Sequence, residues 1–436
     1  MTATQIGVVS IVVMLYLIYT GMHVPVAFCL VSLIGVWAIK GSFEQASTLL
    51  ALATADAVST YDYGVIPLFV LMGLLVSVAE LGRDAFLAAN ALLGRIKGGL
   101  GVATVAANAL FAAVTGVSIA SATVFTKIAV PEMIRLGYRK RFAVGVVAGS
   151  SVLGMLIPPS LLLIVYGLLS EQSIGDLFIA GVVPGLLLAT VFALMIVLIA
   201  TFAPSRVYAG ANASEAGPGE DTARALAGLT PLLGLAGLVI GGIYAGWFTA
   251  TESGAVGALG GLALALWRRK LTWNGAWRVL VETGQVTVAI LFVIIAANIY
   301  TRLIALSGLP AVLNDFVVGA HLSFFLLLLI YVLIIVLMGT MIDAVSIMLI
   351  MVPMFLPLVA PYQVNLIWFG IVTVIAAEIG LLTPPFGLSV FVIKSTLADD
   401  DISLEDIFAG AAPFAVAMFL VLLLIILVPS IVTVLL

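Results

Sequence analysis

Two proline pairs inside apolar runs are the strongest chemical signals in the chain. Pro158-Pro159 stands in Gly154-Met-Leu-Ile-Pro-Pro-Ser160, and Pro384-Pro385 in Gly380-Leu-Leu-Thr-Pro-Pro-Phe386. Proline removes a backbone donor and clashes with the preceding turn, so each segment interrupts a helix. Carbonyls freed in hydrocarbon are costly unless something satisfies them. Neighbouring helices could do so around a plain kink. A Na+ ion held by several carbonyls and a hydroxyl is the functional alternative, and the duplication of the break favours it.

Two further interruptions supply hydroxyls. The first is Thr115-Gly116-Val117-Ser118-Ile119-Ala120-Ser121, the second Gly339-Thr340-Met341-Ile342-Asp343. A helix that begins at such a break points its N-terminus at the midplane, where the positive end of its dipole suits an anionic ligand. Ser118, Ser121, Thr340 and Asp343 are therefore candidate substrate contacts. Thr340-x-x-Asp343, Ser173-x-x-Asp176, Ser403-x-x-Asp406 and Thr249-x-x-Glu252 also have capping-box spacing or a close variant of it. Asp343 thus has two readings, a helix cap or a ligand at the tip. Lys127 lies about 12 Å below the first tip if the segment is helical. An intramembrane lysine is a candidate substrate contact, although pairing with an acid or reaching the surface would also accommodate it. Lys394, close to a helix end, suits the second role. Glu378 is either an ion or proton site or a paired buried acid. His23 and His321 stand alone. No His-Glu-x-x-His, phosphate-binding glycine loop or nucleophile elbow occurs, so no enzyme chemistry is expected.

The elements that must hold these residues are membrane helices. Of 436 residues, 64% are hydrophobic and 9% charged, and the mean hydropathy is +1.32. A soluble protein of this length could not cover its surface with so few charges. The one cysteine, Cys29, has no disulfide partner and no neighbouring metal ligands. Apolar runs predict spans at about 4–20, 24–39, 62–82, 142–170, 177–202, 225–247, 250–267, 283–305, 367–397 and 408–435. Stretches 100–133 and 322–358 are too long for one crossing and break near their middles, which predicts re-entrant hairpins. Amphipathic stretches at 43–58, 83–97 and 272–283, the last with Trp273 and Trp277, are expected in the interface.

Basic residues set the expected orientation. Arg95 and Lys97 precede the first hairpin and Arg135, Arg139, Lys140 and Arg141 follow it, so it faces the cytoplasm. The flanks of the second hairpin carry no Lys or Arg, so it faces outward. Of 17 basic residues only Lys40 and Arg302 then fall outside, and both termini are periplasmic. Residues 203–224 read as a cytoplasmic linker between residues 1–202 and 225–436. The halves resemble each other: Ser173-Ile-Gly-Asp-Leu-Phe recurs as Ser403-Leu-Glu-Asp-Ile-Phe, and the proline pairs recur at an offset near 226. An odd number of crossings separates them, so the repeats are inverted, the plan of secondary transporters.

Several motifs together carry a family resemblance. Glu132-Met-x-Arg-x-Gly-Tyr, Ser151-Val-Leu-Gly-Met-Leu-Ile-Pro-Pro-Ser, Ser173-Ile-Gly-Asp-Leu-Phe-Ile-Ala-Gly-Val-Val-Pro-Gly, Thr249-Ala-Thr-Glu and Gly380-Leu-Leu-Thr-Pro-Pro-x-Gly resemble the large membrane subunit of tripartite ATP-independent periplasmic (TRAP) transporters. The likeness covers nearly the whole chain. It implies an all-α polytopic protein of the bacterial inner membrane, an elevator with a scaffold and a transport domain. It implies Na+ coupling, with two or more ions. One ion would be held by the first tip and first break, through Thr115, Gly116, Ser118, Ser150, Gly154 and Pro158. A second would be held by Gly339, Thr340, Gly380 and Thr383. The implied partners are a four-helix small membrane subunit, a soluble periplasmic binding protein and a small organic anion, a carboxylate or sulfonate, with the lipid bilayer around them and no nucleic acid. Lys127 and Lys394 depart from the small or apolar residues usual at their positions. A stand-alone ion-coupled dicarboxylate carrier, needing no binding protein, would share the hairpins and repeats.

Overall fold

The computed structural model describes residues 1–210, 222–320, 322–397 and 401–436. His321 and half of the expected linker, 211–221, lie outside them. Every regular element among the described residues is a helix, as apolar runs bounded by glycine, proline and Ser/Thr/Asp caps dictate. Among the described residues seven helices are long and apolar enough to cross a membrane by length and composition. Four expected spans are not among these seven, one being Ala250–Trp267 with 18 residues. Ala3–Tyr19 and Val24–Lys40 have 17 residues each, and Leu366–Leu381 has 16 before the second break stops it.

Both expected hairpins form. The first comprises Gly99–Thr115 and Ser118–Arg135, turning on Gly116 and Val117; Gly116 has φ +65°, a left-handed conformation that suits glycine. The second comprises Phe324–Gly339 and Ala344–Val359. Both proline-interrupted helices are also broken. Lys140–Ser151 and a turn at Leu153–Leu156 precede Leu161–Ser170, and Leu366–Leu381 precedes Leu388–Thr396. The two proline pairs are joined by cis peptide bonds.

Shifting helix bounds by 226, the separation of Pro158 and Pro384, carries most first-half helices onto second-half ones. Val24–Lys40 meets Ala250–Trp267, Gly99–Thr115 meets Phe324–Gly339, and Ile174–Phe202 meets Leu404–Leu427. Residues 272–283, expected as a separate amphipathic stretch, are instead the start of a single helix, Trp273–Ser307. Its 35 residues span about 52 Å, more than a whole bilayer. In the first half the corresponding stretch is cut at Ser59–Gly64 into Phe43–Val58 and Val65–Val78. The second half has Gly284 at that junction, but the residues after it, Gln285 to Ile290, hold no further turn-forming residue and the helix runs on.

The halves do not fold as two lobes. Val65–Val78 packs on Ala250–Trp267, and Val24–Lys40 on Trp273–Ser307, forming a bracing group from both halves. Ion pairs Arg302–Asp56 (2.7 Å) and Lys270–Glu80 (2.9 Å) tie it together, as does Arg268–Asp84. Lys140–Ser151 packs on Leu404–Leu427, Leu161–Ser170 on Ala344–Val359, and Ser118–Arg135 on Leu388–Thr396, forming a hairpin group that is likewise mixed.

Candidate functional site

Each hairpin tip is docked on a broken helix. At the first, the Leu161 N–H, freed by the proline pair, donates to Gly116 O at 3.0 Å. A Cβ on Gly116 would stand 2.5 Å from Pro159 O, and one on Gly154 would stand 3.1 Å from Ser118 N. Glycine at both positions lets tip and break touch backbone to backbone. Ser160 caps the continuing helix, accepting from Leu163 N–H at 3.3 Å. At the second, Phe386 N–H donates to Thr340 O at 3.1 Å. Gly339 and Gly380 meet face to face, with Cβ atoms there expected 2.7 and 2.6 Å from the opposing Cα.

The polar atoms differ between the two sites. Around the first, the hydroxyls of Ser118 and Ser121 and Asn108 Oδ1 are buried with no hydrogen-bond partner among the described residues. Asn108 Nδ2 donates to Ser150 Oγ at 2.7 Å, and Ser150 donates onward to Val146 O at 2.7 Å. Thr115 donates to Phe111 O at 3.0 Å. Orphaned neutral oxygens beside a helix break are hard donors of the kind an alkali cation takes, so Na+ fits the first site. At the second, Thr340 donates to Leu337 O at 2.8 Å and Thr383 to Ile379 O at 2.7 Å. Each hydroxyl proton is thus turned to its own helix, which leaves the oxygen lone pairs for a cation.

Over residues 11–431 the sequence matches the family described as "Tripartite ATP-independent periplasmic transporter, DctM component". This chain belongs to that family. It is 33% identical over 383 residues to the C4-dicarboxylate TRAP transporter large permease protein DctM of Pseudomonas aeruginosa, covering 88% of each chain. It is 31% identical over 366 residues to the sialic acid TRAP transporter large permease protein SiaM of Vibrio cholerae, covering 84% of each. Its fold resembles that of the Alcanivorax borkumensis YdaH transporter, with a TM-score of 0.61 over 91% of this chain and 95% of that one, at 14% identity. The family description makes the chain one component of a transporter, and these relatives are named permeases rather than enzymes.

Within this DctM component the expected site residues do not all share one face. Ser118 and Ser121 lie on the buried face of their helix, whereas Lys127 lies on the exposed stripe with Ile119 and Pro131. Lys394 donates to Ile402 O at 2.8 Å, tying its helix to the following loop. Asp343 is itself the N-cap of Ala344–Val359, accepting from Ser346 N–H at 3.0 Å and from its hydroxyl at 2.5 Å. The capping box expected from Thr340 to Asp343 is therefore absent, because the helix starts one residue after Asp343. The boxes at Thr249–Glu252 and Ser403–Asp406 form; at Ser173 the hydroxyl caps Asp176 N–H. Glu378 is fully buried, and neither carboxylate oxygen has a partner among the described residues. Asn108 escaped notice in the sequence; its signal was a lone amide in an Ala/Val/Gly-rich run.

Proposed function

We propose that this chain is the large permease of a Na+-driven importer of a small organic anion, a carboxylate or sulfonate, in a bacterial inner membrane. The observation that carries the reading is the paired docking, Leu161 N–H on Gly116 O and Phe386 N–H on Thr340 O. Tips and breaks joined in this way form one body. Sliding that body along the bracing group would expose the tips to each side in turn, an elevator movement. The matched helix bounds of the two halves support inverted repeats, with the first hairpin toward the cytoplasm and both termini periplasmic. Thr115, Gly116, Ser118, Ser150, Gly154 and Pro158 would hold one Na+, and Gly339, Thr340, Gly380 and Thr383 another. Bound Na+ would supply positive charge beside the helix N-termini that receive the anion. Ser118, Ser121, Thr340 and Asp343 stand closest to that position in sequence. Lys127, on the exposed stripe, would meet the substrate only as the body moves. The relatives' named substrates, C4-dicarboxylates and sialic acid, support a carboxylate. The word "tripartite" supports two further components, which we assign to a four-helix membrane subunit and a soluble periplasmic binding protein.

The test is initial uptake against Na+ concentration in proteoliposomes holding the chain and the small subunit, with the loaded binding protein outside. Ser118→Ala and Thr383→Val are expected to need more Na+, by a penalty of about 1–3 kcal/mol for a lost buried partner. Ser395→Ala, an exposed control whose hydroxyl bonds only its own helix, should keep the parental curve. Unchanged curves in both site variants would leave those hydroxyls with no part in Na+ binding. Full uptake by the chain without its partners would favour a stand-alone carrier.

A further inference from the structure

We propose that the base of the first hairpin carries a binding site for the phosphate headgroup of an acidic phospholipid, held by Arg139, Arg141 and Arg206. These arginines line one cavity of about 1070 Å³. Arg206 reaches it from far along the chain, because the segment after Ile174–Phe202 is clasped to the end of the hairpin. Arg139 N–H donates to Val207 O and Ala209 N–H to Gly137 O, each at 2.8 Å. The rings of Tyr138 and Tyr208 lie 5.0 Å apart. Tyr208 OH accepts from Gly98 N–H at 2.9 Å, and Arg139 Nε donates to Tyr208 O at 3.2 Å.

Main-chain bonds therefore bring the two segments that carry these three arginines around one space, although like charges repel. The two carboxylates in the lining, Asp401 and Asp406, are outnumbered there by Arg139, Lys140, Arg141 and Arg206. Asp406 accepts from the Ser403 hydroxyl at 2.9 Å in its own helix cap, and Asp401 stands 3.4 Å from Lys140. Arg141 and Arg206 have no ion pair among the described residues. An external anion would relieve the repulsion, and the planar fork of arginine matches phosphate oxygens in pairs. The apolar part of the lining points to a lipid rather than a free ion. It is built from Ile134, Phe142 and Ile199, and Leu198 and Phe202 stand exposed beside it on a membrane-crossing helix. A basic pocket that opens onto apolar helix surface accommodates a headgroup with its acyl chains alongside. Basic residues at one face are common in any multi-spanning protein, so the proposal rests on this convergence and not on their number.

The proposal is tested on the full chain in phosphatidylcholine nanodiscs, by following melting temperature as phosphatidylglycerol replaces phosphatidylcholine. The wild type should be stabilised saturably by phosphatidylglycerol and not by inorganic phosphate. Arg206→Gln and Arg141→Gln should each raise the half-saturating phosphatidylglycerol fraction about tenfold, as expected for one lost charged partner. Arg95→Gln and Arg224→Gln, basic but outside the cavity, should leave it unchanged. If Arg206→Gln proves too unstable to measure, Arg206→Lys should show a smaller shift in the same direction. Site variants with the wild-type curve would overturn the proposal. So would equal stabilisation by inorganic phosphate, which would make this a free-anion site.

Discussion

At the scale of single residues, the function rests on missing side chains as much as on present ones. Gly339 and Gly380 share a contact in which neither can carry a methyl group, since a Cβ on Gly380 would fall 2.6 Å from Gly339 Cα and 2.9 Å from Val336 O. Backbone cannot yield there as a flexible side chain could. Gly380→Ala is therefore expected to destabilise the protein by about 1–3 kcal/mol through overpacking and to undock the second tip. Gly284→Ala, at a helical glycine with nothing within 4 Å, should instead gain about 0.5–1 kcal/mol. Thermal melting in detergent checks both signs, and equal effects at the two positions would refute the steric account. The glycines were legible as parts of motifs, but their mutual contact was not. Helical periodicity says nothing about which surface of another helix a residue meets.

At the scale of elements, helix ends decide what the tips can offer. The second hairpin restarts at Ala344 because Asp343 accepts the Ser346 N–H, one of the donors a helix start leaves unpaired. Capping needs only a short acceptor. Asp343→Asn is thus expected to melt with the parent, whereas Asp343→Ala should lose about 0.5–2 kcal/mol. Unfolding midpoints measure this, and uptake by the Asn variant separates the two readings of Asp343. Uptake at the parental rate would leave the carboxylate with a structural role; its loss in a stable protein would give the charge a transport role. The clasp of Tyr208 on Gly98 N–H does the same service at the base of the first hairpin. The long helix Trp273–Ser307 carries exposed Trp273 and Trp277 near its start as part of one continuous helix.

At the scale of the whole molecule, each packing group takes helices from both halves, so the halves are units of sequence, and under the proposed elevator the groups would be the units of movement. The expected orientation follows from basic residues at the first hairpin and their absence at the second. In a Cys29→Ser background, Lys97→Cys should be labelled by an impermeant thiol reagent only from the cytoplasmic side. Pro361→Cys should be labelled only from the periplasmic side. Labelling of both from one side would end the inverted arrangement and, with it, the elevator.

The sequence alone determined the class of protein, the two hairpins, the two breaks and the family. These depend on local composition. Hydrocarbon demands long apolar helices, and proline pairs, glycines and hydroxyls mark where the chain cannot remain one. Only the tertiary structure decided which tip meets which break, that Asn108 joins Ser150, and that Arg206 arrives beside Arg139 and Arg141. Those outcomes come from contacts between residues far apart in the chain. Their energy lies in close backbone approach and shared hydrogen bonds, and no local pattern of residue types encodes either.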